Sequence, residues 1–399
     1  MKKISFYNIT KKPTRIDFTV ITEIDTVTQS DENIYFEFNC ENSVSDSALA
    51  CSFIALIMNS YEKIYIDLPL SKSLLHFLRA GLKSEITCKE EVAETVGSRD
   101  KANLNNIALL FSGGFDSLAA MNLFSPGRLK LISMDYGGVF ADEKLCFSQF
   151  KTYNVATNCR SSLFFKYSSK FYVPAFSIGA ILYAEKLGIG YAASGDILEA
   201  FHDFNCTFPN FVFPGSYFNI RQVRPTFGLT EVGTAMIVKE MLHPAIINTA
   251  INSLAKPGST KRLRKDVLLN FVGGECPINY IKNPLKFGRD YVMDFLFLHV
   301  YKHNSSLGEK MVTFVPDEVL DFISCHKLDF YKKVNPKSLR NIPDDINMNF
   351  FLDILYKCGI SIYNTEDFKE LYEVRSLLAK YYNEENKNIK IGDMQKKPE

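Results

Sequence analysis

Between Asn106 and Asp196 the chain repeats one unit: a short apolar run, a polar turn, then a stretch of helical spacing. Ile107–Phe111 (IALLF) is continuously apolar, as expected of a strand buried on both faces of a parallel sheet. A Gly-rich turn and a helical stretch, Asp116–Leu123, follow it. Leu129–Met134 reads as a second strand ending in Asp135-Tyr136-Gly137-Gly138, and Asp142–Tyr153 as a second helix. Pro174–Leu187 reads as a third helix, and Ile189–Ser194 as a strand ending in Gly195-Asp196. Strands alternating with helices predict an α/β fold built on a doubly wound parallel sheet. Ligands of such sheets sit at the carboxyl ends of the strands, where these polar turns lie.

The flanking regions differ in rhythm. Residues 14–39 alternate as strands do, with polar turn material at Gln29–Asn33. Ser45-Asp46-Ser47 can cap the apolar stretch that follows, Lys63–Leu68 reads as a strand ended by Pro69, and helical spacing then runs to Gly81. Residues 1–100 are therefore expected to form a small N-terminal α/β domain, with Lys89–Asn105 as its boundary. The strand–helix domain over 104–240 and a helical region over 241–382 follow, and the polar tail 383–399 is expected to be disordered.

Composition narrows the class. Lys+Arg is 46 against Asp+Glu 45, a balance that argues against a chain whose main task is gripping nucleic acid. The nine cysteines are odd in number and widely spaced without C-x-x-C, the pattern of reduced cytosolic thiols. The longest apolar run, Ala48–Met58, is 11 residues, whereas a bilayer span needs about 20. A soluble, cytoplasmic protein with no membrane partner is the expectation.

The segment that carries chemistry is Ser112-Gly113-Gly114-Phe115-Asp116-Ser117. A strand entering a Gly-rich turn at a helix N-terminus aims backbone N–H groups and the positive end of the helix dipole at one point. Gly113 and Gly114 let backbone close on phosphate oxygens, Ser112 and Ser117 add hydroxyls, and Asp116 can cap the helix or help hold Mg²⁺. The segment is not a Walker A loop, since no Lys follows the glycines, and the spacing Gly113-Gly114-Phe115 does not fit G-x-G-x-x-G.

SGGFDS resembles the S-G-G-x-D-S pyrophosphate-binding loop of the PP-loop ATP pyrophosphatases. Asp135-Tyr136-Gly137 and the trailing Glu143 resemble the D-Y-G element of the 7-cyano-7-deazaguanine synthase (QueC) family. Gly195-Asp196 through Asp203 and Cys206 is similar to that family's substrate-binding turn, and Pro225–Thr230 (PTFGLT) to its later proline turn. The resemblance spans Asn106–Leu242. The chain departs from the family at Gly138-Val139-Phe140, at Glu231 where a Lys is usual, in lacking the four-cysteine zinc site, and in its extra first hundred residues. It therefore resembles the divergent QatC-like branch of anti-phage gene clusters.

The resemblance implies an ATP-dependent ligase of PP-loop fold that adenylates a carboxylate, releases pyrophosphate and forms an amide. It implies a 7-deazaguanine-like acid as substrate, ATP and Mg²⁺ as cofactors without zinc, and ammonia or an amine of a protein partner encoded nearby as nucleophile. Ser112, Gly113, Gly114, Phe115, Asp116, Ser117 and Arg224 would hold ATP, with Asp116, Ser117 and Asp135 catalytic and Mg²⁺ on Asp116. Tyr136, Gly137, Asp196, Phe201 and Asp203 would face the substrate.

Simpler readings stand beside these. Asp135 and Asp196 can merely start turns, and His202 and Asp203 can lie on a solvated loop. Phe201 and Phe204 can be core, while Arg221 and Arg224 can form surface ion pairs instead of gripping pyrophosphate. The basic run Lys256–Lys265 reads as a solvated loop, with closure over phosphates as its functional alternative. His299 and His303 have a spacing metals use, yet no H-E-x-x-H is present, and Cys206 and Cys276 read as lone thiols rather than sulfur carriers. A PP-loop sulfur transferase, a generic amide ligase and a degenerate nucleotide-binding scaffold of a defence complex are the rival functions.

Overall fold

The first 38 residues form a three-stranded antiparallel meander: β1 (Lys2–Lys12), β2 (Arg15–Ile24) and β3 (Val27–Phe38). The turn between β2 and β3 is the pair Asp25-Thr26, with φ of 48° and 71°. Positive φ at both central residues matches the twist of a two-residue hairpin, and Asp tolerates it. Gln29–Asn33, expected as the turn, lies inside β3, where Gln29, Asp31 and Asn33 are exposed and the buried Ser30 hydroxyl meets that of Thr22 at 2.7 Å. β1 carries no sequence signal as clear as its neighbours, because its charged ends hide the buried Ile4 and Phe6.

The computed structural model describes residues 1–93, 104–168, 175–200, 212–278 and 285–382. Its chain falls into two units: Met1–Ser112 with Pro126–Ala193 and Pro209–Val223, and Gly113–Ser125 with Ser194–Phe208 and Arg224–Glu399.

The first unit is built on one ten-stranded sheet. Besides the meander it contains β4 (Lys63–Ser71), β5 (Glu85–Val92), β6 (Asn106–Leu110), β7 (Leu129–Asp135), β8 (Thr152–Thr157), β9 (Ile189–Ala193) and β10 (Arg221–Val223). Their order is β10-β9-β6-β7-β8-β3-β2-β1-β4-β5. Pairing is parallel from β10 to β8 and across β1, β4 and β5, and antiparallel from β8 to β1. The sheet is thus mixed, not wholly parallel. The N-terminal strands, expected to fold on their own, share it with β6–β10 through the Phe36↔Thr157 to Phe38↔Val155 pairing.

β8 is the strand that makes this join, and helical spacing had placed its first residues in a helix. The helix at that point, α4 (Glu143–Phe147), ends four residues after it begins. Tyr-Asn-Val-Ala-Thr then pairs with β7 on one side and β3 on the other. Two ladders of backbone hydrogen bonds outweigh a weak local helical preference. Pro69, expected to end β4, sits instead at a register shift inside it, between the Ile66 and Pro69 pairings with β5. A bulge is where a residue without an N–H is tolerated in a strand.

The helices of this unit are α1 (Asp46–Ile57), α2 (Lys72–Gly81), α4, α5 (Leu163–Ser168), α6 (Ile178–Leu182) and α7 (Ala184–Leu187), with α3 in the second unit. The expected single helix over Pro174–Leu187 is broken at Tyr183, and its residue 174 lies outside the described residues. α1 is buried around its whole circumference, so its 11-residue apolar run is a core helix. Phe53 stacks on Phe6 at 4.3 Å and tilts against Phe18 at 4.6 Å. Ser45 is its N-cap, accepting the Ala48 N–H at 3.1 Å. Ser45→Ala is expected to cost about 1 kcal/mol of stability, read as a lower denaturant midpoint at unchanged slope.

The second unit is mainly helical: α3 (Phe115–Asn122), α8 (Glu231–Met241), α9 (Pro244–Leu254), α10 (Thr260–Phe271), α11 (Tyr291–His303), α12 (Asp317–Cys325), α13 (Met348–Lys357) and α14 (Thr365–Ala379). The basic run Lys256–Lys265, expected as a solvated loop, enters α10 at its Ser259 cap. Arg262, Arg264 and Lys265 are buried there rather than solvated. His299 on α11 is fully buried and stacks on Tyr331 at 4.8 Å, 4.5 Å from the ring of His303. No helix among the described residues is long and apolar enough to cross a membrane. The tail 383–399 lies outside the described residues.

Candidate active site

The strand order places β6 between β7, which follows it in sequence, and β9, which comes much later. Chain direction across the sheet therefore reverses between β6 and β9, a topological switch point. The segments leaving these two strands, Gly113–Ser117 and Ser194–Glu199, both belong to the second unit.

Gly113 has φ of +79°, a conformation in which a side chain is strained, and Gly114 is the N-cap of α3. A glycine cap offers no side-chain acceptor, so backbone alone shapes the helix entrance. Asp116 is therefore not the cap; it lies in the first turn. Ser117 is buried and its Oγ donates to the Gly114 carbonyl at 3.0 Å. Gly195 lies directly on this turn. A Cβ at residue 195 would stand 2.7 Å from the Ser117 nitrogen and 2.8 Å from the Asp116 carbonyl carbon. Its neighbour Asp196 accepts the Ser194 hydroxyl at 2.6 Å and faces Arg224 Nε at 3.4 Å. Arg224 is almost wholly buried, and burial lowers its pKa against the pull of Asp196. Thr226 ties the proline turn to the same segment, donating to the Asp196 carbonyl at 2.8 Å.

Behind the loop lies a charge cluster that sequence reasoning did not assemble. Asp116 Oδ1 accepts the Thr234 hydroxyl at 3.1 Å and faces Lys265 Nζ at 3.7 Å. Lys265 Nζ also lies 3.5 Å from Glu231 Oε2 and 5.0 Å from the centre of the Phe115 ring. Arg264 Nε donates to the same Glu231 oxygen at 3.0 Å. Glu199 Oε1 accepts the Glu231 backbone N–H at 2.5 Å. Burial opposes the charge on Glu231, but Arg264 and Lys265 outweigh it and lower its pKa. Asp116 is raised, first by its depth among protein atoms and then by Glu231, although a third of its side-chain surface stays open. Glu231 thus holds two cations of α10. The one signal in the sequence was the basic run itself, but nothing in it marks which of its residues turn inward.

Burial, with Glu231 next, pushes Glu199 up to about 8. The folded chain then keeps a proton that the unfolded chain releases above about 4.5, the ordinary value. Glu199's contribution is present in full below that pH and is lost as pH rises towards about 8. Glu199→Gln, which mimics the protonated acid, is expected to match the parent at pH 4 and to melt a few degrees higher at pH 8. Thermal melts across that range check it, and a constant difference would show that Glu199 does not titrate.

Other expected site residues are described by themselves in the first unit. Asp135 accepts the Gly137 N–H at 3.1 Å and faces Lys144 at 3.4 Å. Tyr136 is buried with its hydroxyl donating to the Ala175 carbonyl at 2.9 Å, and Gly137 has φ of +61°. Ser112 is the last residue of that unit's first segment. Arg221 lies over the Tyr191 ring at 4.4 Å and hydrogen-bonds its hydroxyl, so its guanidinium is engaged within the first unit. Phe201, His202, Asp203, Phe204 and Cys206 lie outside the described residues. Cys276, half-buried, donates to Asp266 at 3.4 Å, and burial pushes its thiol up to about 11.

Mg²⁺ takes one or two carboxylates plus phosphate oxygens and water, so a single carboxylate beside a Gly-rich helix entrance is compatible with it. Asp116 fits that role through its open surface. Among the described residues no group of three His, Cys, Asp or Glu side chains could hold a metal on its own. A comparison of the chain with known protein families, curated proteins and solved structures finds no match.

Proposed function

We propose that this chain is an ATP-dependent adenylating ligase whose phosphate site is the turn Gly113–Ser117. The observation that carries the reading is the left-handed Gly113 and capping Gly114 at the entrance of α3, with Asp116 in the first turn and Gly195 pressed against it. Together they form a backbone cradle of positive potential with one acidic residue in the first turn of the helix.

In this reading a substrate carboxylate oxygen attacks the α-phosphorus of ATP, giving an acyl-adenylate as the α–β bridge breaks and pyrophosphate leaves. The N-terminus of α3 stabilises the charge that develops on the leaving group, without reorganising when the reaction occurs. Mg²⁺, when bound at Asp116, supplies further neutralisation of that charge. Arg224, held by Asp196, supplies a guanidinium beside the same turn. An amine then displaces AMP, loses a proton and leaves an amide. The resemblance to the QueC family makes the acid a 7-deazaguanine carboxylate and the nucleophile ammonia or a protein amine, in an anti-phage setting. The raised thiol of Cys276 speaks against that residue as a sulfur carrier, because a thiolate is the reactive form.

Product analysis tests the reading. With Mg-ATP, 7-carboxy-7-deazaguanine and ammonium, the expected products are AMP and pyrophosphate. ADP and phosphate would overturn the mechanism, and ATP binding without turnover of any acid or amine would favour a nucleotide-binding scaffold.

A further inference from the structure

Lys265 has no role in the chemistry above, yet its position is costly. It is buried, its ammonium sits 3.5 Å and 3.7 Å from two carboxylates, and Nζ has no hydrogen-bond partner. A buried ammonium without hydrogen bonds carries a desolvation penalty that distant ion pairs only partly offset. Glu231 is already held by Arg264, so it does not need Lys265 as its sole counter-ion. The ammonium also lies over the face of Phe115, the loop's central residue, and faces Asp116. Lys265 therefore stands beside the phosphate cradle with its donors unspent.

We propose that Lys265 is an exchangeable counter-ion of the cradle. At rest its ammonium neutralises Asp116 and Glu231. When a pyrophosphate group enters the turn, the ammonium swings across the Phe115 ring onto the phosphate oxygens and leaves Asp116 open to a divalent cation. The flexible four-carbon stem of lysine permits that shift, whereas Arg264 is fixed by its bond to Glu231. Phosphate and metal binding are then linked through one side chain, and the cation is disfavoured while the ammonium faces Asp116. The inference rests on the phosphate site proposed above.

The test uses the full chain and two probes, inorganic pyrophosphate followed by calorimetry and Mn²⁺ followed by electron paramagnetic resonance. Lys265→Met is expected to weaken pyrophosphate binding by about 10- to 100-fold, the loss of one charge-assisted contact. The same variant is expected to bind Mn²⁺ alone roughly five-fold or more tightly, because the competing positive charge is gone. Lys265→Arg, which keeps a cation, is expected to retain most of the pyrophosphate affinity and the weak Mn²⁺ binding. If Lys265→Met does not melt cooperatively, Lys265→Gln serves with the same two expectations.

Unchanged pyrophosphate affinity without the lysine charge, or Mn²⁺ binding equal to that of the parent, overturns the proposal. Failure of the phosphate-site reading looks different. In that case the parent chain itself does not bind pyrophosphate, or binds it equally well after Gly113→Val.

Discussion

Asp116→Ala is expected to slow formation of AMP and pyrophosphate by about 10²- to 10³-fold, the usual loss when one preorganised electrostatic group is removed. Asp116 stands in the first turn of α3, within reach of Thr234 and Lys265, with a third of its side-chain surface open. Its removal takes away the acidic group of the first turn and leaves Glu231 as the carboxylate beside Lys265. Nucleotide affinity should change far less than turnover, since the backbone N–H groups of the turn remain. Quench-flow measurement of pyrophosphate release, beside equilibrium ATP binding, separates the two. Full turnover in the variant would remove Asp116 from the chemistry, whereas ADP and phosphate as products would remove the adenylating mechanism itself.

Gly195→Ala should damage the same site from the opposite side. The added methyl meets the Ser117 nitrogen at 2.7 Å and the Asp116 carbonyl carbon and oxygen at 2.8 Å and 3.0 Å. All three are backbone atoms of the helix entrance, so no side chain can rotate away to make room. Overpacking of this kind costs about 1–3 kcal/mol, and here the strain falls on the turn itself. A lower melting temperature together with loss of pyrophosphate binding is the expected result. By contrast, Gly258→Ala makes a surface control: a methyl there meets nothing within 4 Å, although its φ of +80° adds local strain. If Gly195→Ala bound pyrophosphate like the parent, the packing of residues 194–196 on the loop would be irrelevant to the site.

Much of the site was legible because it is local. Gly-Gly before a helical stretch fixes a strand-to-helix turn whatever surrounds it, since only glycine enters the left-handed region without strain. The apolar run 107–111 announced its strand for the same reason: its pattern is complete within five residues. Ser45 and Thr230 likewise mark helix starts by a hydrogen bond that spans two or three residues.

What the sequence could not disclose are pairings between distant segments. The expected helix ran on into Thr152 and Tyr153, the first two residues of β8, because the strand is held by two neighbours, one of them β3, more than a hundred residues earlier. That single ladder also merged an expected separate N-terminal domain into a ten-stranded sheet. The run Lys256–Lys265 looked solvated because charge predicts exposure, unless partners of opposite sign meet it inside. Glu231 and Asp116 are those partners, 33 or more residues away in sequence. The sequence alone determined the loop and the strand and helix that flank it. Only the tertiary structure decided that Gly195 closes on the loop and that Lys265 is buried beside it, because burial and electrostatic pairing depend on which segments meet.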